Sequence, residues 1–273
     1  MHRVRQTASD AGDADVPAMP GAQERFDEEI QDTSTDFEKG IAMGTVTILK
    51  ETTERPITLI GERAGICWGA DTSDPVKNYQ RGWECIVSGH GRALEFVNVE
   101  MVLDGYSARV MREWYTHIGG APTRLQASTR YINYGDFEYV TPKTVSDKSV
   151  AAKGIYESCM TMIANSVRML EIEFGIPRED AAMLLPLGMT TRVVDKRNLR
   201  NLIDMSRQRM CNRAYWEFRE LFKDICNALS EYCAENGEWE TIVRTQFYPK
   251  CQATKTCPET HGCGRFPKAG ERA

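Results

Sequence analysis

RALEFVNVEMVLDGYSARVMREWY, residues 92–115, sets the character of the whole chain. Val97, Val99, Met101 and Leu103 alternate with Asn98 and Glu100, so residues 92–103 read as a strand with one apolar face. Asp104-Gly105 reads as the break that ends it. Ser107 then stands where a hydroxyl can accept from the free amides of a helix start, and the helix runs through Ala108, Met111, Arg112 and Tyr115. A strand that delivers straight into a helix points to a mixed domain.

Outward from this stretch the two periods recur. Residues 43–50 (MGTVTILK) are β-branched and read as a strand. Gly119-Gly120-Ala121-Pro122 cannot continue a helix, and an extended piece follows over 128–139. Ile155, Cys159, Met162, Ile163, Ser166, Met169 and Leu170 keep a 3.6-residue period up to Gly175 and Pro177. Leu184-Leu185-Pro186-Leu187 leads to a strand reaching Val194. A second helix is predicted over 198–213, with Leu199, Leu202, Ile203 and Met210 on its apolar side. A third carries Phe218, Phe222, Ile225, Leu229 and Tyr232. The predicted class is α+β, helix-rich, with a small sheet.

Composition sets the outer limits. The chain has 273 residues, 41% apolar and 27% charged, the mixture of a soluble globular protein. Residues 1–40 hold four basic and ten acidic side chains against a total charge of −5, so the remainder is near neutral. That argues against a broad basic face for nucleic acid but leaves room for a local anion pocket. Residues 1–40 lack the large apolar groups needed to offset ordering entropy and read as a disordered acidic tail. No stretch approaches the roughly 18 apolar residues of a membrane span, and the N-terminal residues lack a secretory core. Cytoplasm is the expected compartment, with no membrane partner. Nine cysteines, an odd number, argue against a secreted disulfide framework.

Three constellations carry candidate chemistry. The first is THIGGAPTRLQASTRY, residues 116–131, where a flexible glycine pair joins His117, Arg124, Gln126, Ser128 and Arg130 in one loop. Hydroxyls, amides and guanidinium forks there suit an anion, and Arg130 suits bidentate phosphate contact. A solvated glycine turn fits the same composition. The second is RVVDKRNLRNLIDMSRQRMCNR, residues 192–213. Asn198 and Arg200 mark the helix start, and Arg209 and Arg213 are spaced to share a face. Arg209 precedes Met210, so it sits at the apolar boundary with its stem placed for burial. A basic face solvated and balanced by Asp195 and Asp204 is the plainer reading. The third is Cys251, Cys257, His261 and Cys263, whose spacing lacks the tight knuckles of a zinc site. Residues 249–273 read as a reduced, surface-tethered tail after a folded body of 41–248, with no metal assigned. Glu95 reads as part of the polar face of its strand unless it meets a ligand.

With these residues in view, the chain resembles the flavin-dependent thymidylate synthase family, ThyX, over roughly residues 43–248. The landmarks are Leu94-Glu95-Phe96, Ser128-Thr129-Arg130-Tyr131, Leu185-Pro186-Leu187, Asn198-Leu199-Arg200, and Arg209 seven residues before Trp216-Glu217. From Leu185 to Trp216 they fall in register without gaps. The family's Arg-His-Arg signature is altered: the segment reads Arg112-Glu113-Trp114-Tyr115-Thr116-His117-Ile118, so His117 is retained while Thr116 and Ile118 replace its flanking arginines. Arg124 or Arg112 then supplies the lost charge. A further family arginine, three residues before Leu-Pro, falls on Ala182.

The resemblance implies a ThyX-like fold with a small, mostly antiparallel sheet packed with long helices. It implies a homotetramer with active sites between subunits. It further implies FAD as cofactor, NADPH and methylenetetrahydrofolate as co-substrates, and conversion of dUMP to dTMP. Carried over by position, Glu113, Gln126, Ser128, Thr129, Arg130 and Arg112 contact dUMP. Arg209 binds the uracil edge and is the catalytic candidate. Glu95, Thr116, His117, Ile118, Arg124, Asn198 and Arg200 contact FAD. Two other readings stay open: a family member that binds nucleotide and flavin without turnover, and a basic-helix module with zinc in its cysteine tail.

Overall fold

The alternation over 97–103 becomes one buried sheet face in the computed structural model, which describes residues 44–270. Val97, Val99, Met101 and Leu103 are wholly buried, each contributing about 1.5–3 kcal/mol on leaving water. Four strands make the sheet: β1 (Thr45–Ile48), β2 (Asn98–Ser107), β3 (Thr123–Gln126) and β4 (Thr190–Asn198). Their order is β1-β2-β4-β3 and every pair is antiparallel. The helices, in chain order, are α1 (Pro56–Cys67), α2 (Pro75–Val87), α3 (Ala108–Trp114), α4 (Lys143–Ser146), α5 (Val150–Ile172), α6 (Arg178–Ala181), α7 (Leu199–Arg209), α8 (Trp216–Glu231), α9 (Glu238–Gln246) and α10 (Lys250–Thr254). The core joins the inner faces of β2, α1, α3, α7 and α8. No described helix is long and apolar enough to cross a membrane. The acidic segment 1–40 lies outside the described residues.

Several elements differ from their sequence reading. Ala93–Phe96 is a 3-10 turn, so β2 starts at Asn98. Asp104-Gly105 does not end β2. The register shifts between Asp104 and Tyr106, Gly105 takes up φ +78, and pairing resumes to Ser107. A glycine absorbs such a bulge without a Cβ clash. Ser107 does cap α3, accepting from Val110 N. The extended piece lies earlier than expected, as β3; beyond it Tyr139 makes only an isolated bridge to Met189. α7 stops at Arg209 with Met210 as C-cap, so Arg213 lies past the helix and shares no helical face with Arg209. α5 forms, yet Ile155, Met162 and Met169 on its periodic face are exposed. The C-terminal segment packs back on the body: Cys251 and Cys257 are buried, and Cys257 bridges Lys268.

Candidate functional site

α7 and the end of α3 position the candidate residues, and a buried polar cluster locks the two together. The alternation in β4 turns Val193, Asp195 and Arg197 inward and Arg192, Val194 and Lys196 outward. Arg197 Nε and Nη2 donate to Asp195 Oδ1 and Oδ2 at 2.5 and 2.7 Å, and its Nη1 donates to Asn201 Oδ1 at 2.6 Å. Trp114 Nε1 donates to Asp195 Oδ2 at 2.9 Å, and the Arg197 guanidinium lies 4.1 Å over the Trp114 ring. A bidentate pair with its remaining valences filled is the arrangement in which a buried charge is tolerated. Sequence reading took Asp195 for a solvated counter-charge. The available signal was Asp-x-Arg on the same strand face as Val193.

The far end of α7 carries Arg209. Its Nε donates to His117 Nε2 at 2.9 Å and its Nη1 to Glu113 Oε2 at 2.8 Å. The guanidinium lies 4.7 Å over Phe218, and the His117 ring meets Phe218 edge-on. Burial first, then the charges of Arg209 and Arg197, push the His117 pKa down to about 4. His117 is therefore neutral near pH 7, with the Nε2 lone pair facing Arg209. Among the described residues Arg209 Nη2 makes no hydrogen bond, so a fixed cation keeps donors for a ligand. Glu113 also faces Arg109 at 3.7 Å, and Arg109 lies over Tyr215. Neither Arg109 nor Tyr215 had been singled out. The i, i+4 spacing of Arg109 to Glu113 was the readable signal. Glu217 is buried and accepts from Ser107 N and Oγ, which fixes the start of α3.

A second group gathers at the start of α7. Asn198 caps the helix, its Oδ1 accepting from Asn201 N at 2.9 Å. Arg200 Nη1 donates to Glu95 Oε1 at 2.6 Å, and both side chains remain partly open to solvent. The glycine pair wraps this cap: a Cβ on Gly120 would lie 2.2 Å from Asn198 Nδ2, and φ there is +74. Ile118 and Phe96 are exposed apolar groups flanking these residues in sequence. Thr116 Oγ1 donates to Glu113 O at 2.7 Å. Arg124 Nη1 donates to Tyr115 O at 3.1 Å and stacks 4.3 Å over the Tyr115 ring. Arg112 is exposed and belongs to no ion pair among the described residues.

The third group has partners of its own. Gln126 Nε2 donates to Thr191 Oγ1 at 3.3 Å. Ser128 Oγ accepts from Arg130 N at 3.2 Å, Thr129 is partly buried, and Arg130 Nε donates to Glu179 Oε2 of α6 at 2.6 Å. No hydrogen bond or ion pair among the described residues joins 126–130 to Arg209. In the C-terminal segment, no group of three or more His, Cys, Asp or Glu side chains among the described residues is placed to hold a metal ion.

A model of the family described as thymidylate synthase complementing protein matches residues 48–233, well over half of the chain. The chain belongs to that family. Among relatives named flavin-dependent thymidylate synthase, that of Nitratidesulfovibrio vulgaris is 28% identical over 193 residues, covering 66% of this chain and 73% of its own. That of Geobacter sulfurreducens is 31% identical over 173 residues, covering 63% and 69%. The fold is that of thymidylate synthase X from Helicobacter pylori, solved with FAD and dUMP: TM-score 0.54 at 19% identity, covering 71% of this chain and 99% of that one. The family match includes all three residue groups above and stops before the C-terminal segment.

Proposed function

We propose that the chain is a flavin-dependent thymidylate synthase that makes dTMP from dUMP by reductive methylation. The observation that carries this reading is Arg209, held by neutral His117 and Glu113 with Nη2 left to donate. A guanidinium so fixed suits the N3–O2 edge of a uracil, where it stabilises negative charge as the ring becomes nucleophilic. Glu113 and Arg112 belong to the dUMP side. Gln126, Ser128, Thr129 and Arg130 supply the phosphate end, with Arg130 exchanging Glu179 for phosphate.

FAD fits the cradle at the start of α7, where only glycine is tolerated beside Asn198. Asn198, Arg200, Glu95, Thr116, His117 and the exposed Ile118 would hold it. Arg124, folded onto Tyr115 beside Thr116, stands in for the missing signature arginine better than exposed Arg112. FAD supplies hydride chemistry when bound, with NADPH as reductant and methylenetetrahydrofolate as one-carbon donor. No hydrogen bond or ion pair ties residues 126–130 to Arg209 within one chain, which leaves room for sites shared between protomers of a homotetramer. The exposed apolar face of α5 supports self-association. We assign 41–248 as the catalytic domain, acting in the cytoplasm.

The test is a pair of titrations on purified protein. Flavin absorbance should be retained by wild type and lost in Arg200→Ala. Added dUMP should perturb the flavin spectrum in wild type and fail to do so in Arg130→Ala. Protein that takes up no flavin would contradict the reading.

A further inference from the structure

A cavity of about 550 Å³ lies between the end of α7 and the C-terminal segment, within the size range of small-molecule sites. Arg207, Arg209, Arg213, Lys250 and Arg265 line it, against the single carboxylate of Glu259. Arg209 is paired with Glu113. The other four cations belong to no ion pair among the described residues. Arg207 donates to Tyr248 O at 3.3 Å and lies 3.4 Å over the Tyr248 ring, while Arg213 donates to His261 O. Both bonds go to carbonyls, so they tie Tyr248 to α7 and His261 to the loop after it without removing charge. Burial lowers the pKa of Arg207, a cost that an anion in the cavity would relieve. Phe266, held under Arg265, gives the cavity an aromatic wall. Lys250, Glu259, Arg265 and Phe266 lie beyond residue 233, where the family match ends, while Arg207, Arg209 and Arg213 lie within it, so the cavity adjoins the proposed dUMP contact at Arg209 and extends past the part the family shares.

We propose that this cavity binds a nucleoside di- or triphosphate, its phosphates on Arg213, Lys250 and Arg265 and its base against Phe266. The charges complement one another. Four unpaired cations and one carboxylate leave an excess of positive charge, and a terminal phosphate alone carries about 1.5 to 2 negative charges at neutral pH. Guanidinium forks match phosphate oxygens in pairs. The proposal goes beyond the thymidylate synthase reading, with Arg209 the one residue the two sites share.

Isothermal titration of the full chain with ATP, dTTP and inorganic tripolyphosphate tests it, each run with and without saturating dUMP. A nucleoside triphosphate should bind in the presence of dUMP and more tightly than tripolyphosphate. Lys250→Ala and Arg265→Ala remove exposed side chains, so the fold should persist, as checked by the unfolding midpoint. Each should weaken binding about tenfold, the loss of one charge-assisted contact. Absence of binding heat, unchanged affinity in both variants, or displacement by dUMP would overturn the site. Equal affinity for ATP and tripolyphosphate would overturn the nucleoside assignment.

Discussion

Arg209 and His117 define each other. With its pKa near 4 against an ordinary 6.5, folded His117 stays unprotonated where the unfolded chain takes up a proton. Its contribution to stability is therefore complete above about pH 6.5 and is lost as the pH falls toward 4. Half-exposure limits the effect to about 1 kcal/mol. Urea unfolding across this range should show the decline in wild type and a flatter profile in His117→Gln. Arg209→Lys asks a different question of the same pair. An ammonium cannot reproduce the planar fork that reaches His117 and Glu113 at once, so dTMP formation should fall about a hundredfold. Wild-type turnover with lysine would show that charge alone suffices there.

At the scale of elements, the Asp195–Arg197 pair fastens β4, α3 and α7. Asp195→Ala leaves a buried guanidinium without its carboxylate and should cost about 3–5 kcal/mol in denaturant unfolding. Asn198→Ala removes only the cap of α7 and should cost about 1 kcal/mol. The contrast explains what was readable beforehand. The apolar face of β2 and the cap at Ser107 are set by neighbours in the chain, and both were legible. Trp114 reaches Asp195 across 81 residues, and no local pattern marks that pairing. Asp195 thus looked like a solvated counter-charge, and Arg197 was not singled out. Helices α1 and α2 went unread, and α5 was legible as a helix but not in its surroundings. Periodicity tells which side chains share a face, not what covers it. In the site, the family resemblance put Glu113 and Arg209 with dUMP and His117, Glu95 and Arg200 with FAD, and neither it nor the spacing joined His117 to Arg209. Arg109 was missed because its role appears only once Glu113 is placed.

At the scale of the molecule, Ile155, Met162, Met169 and Ile172 leave α5 with an apolar face open to water in the single chain. Burying that face between copies is the expected outcome. The double variant Ile155→Glu, Met162→Glu should sediment as a smaller species than wild type, and an unchanged sedimentation coefficient would exclude α5 from the interface. Reductive methylation of dUMP is proposed to depend on Arg209. Its most direct test is tritium release from 5-labelled dUMP with FAD, NADPH and methylenetetrahydrofolate, comparing wild type with Arg209→Ala. Release should require NADPH and methylenetetrahydrofolate in flavin-loaded wild type and fall at least about a hundredfold in the variant, with the unfolding midpoint kept. Equal release from both proteins, or none from wild type, would contradict the account.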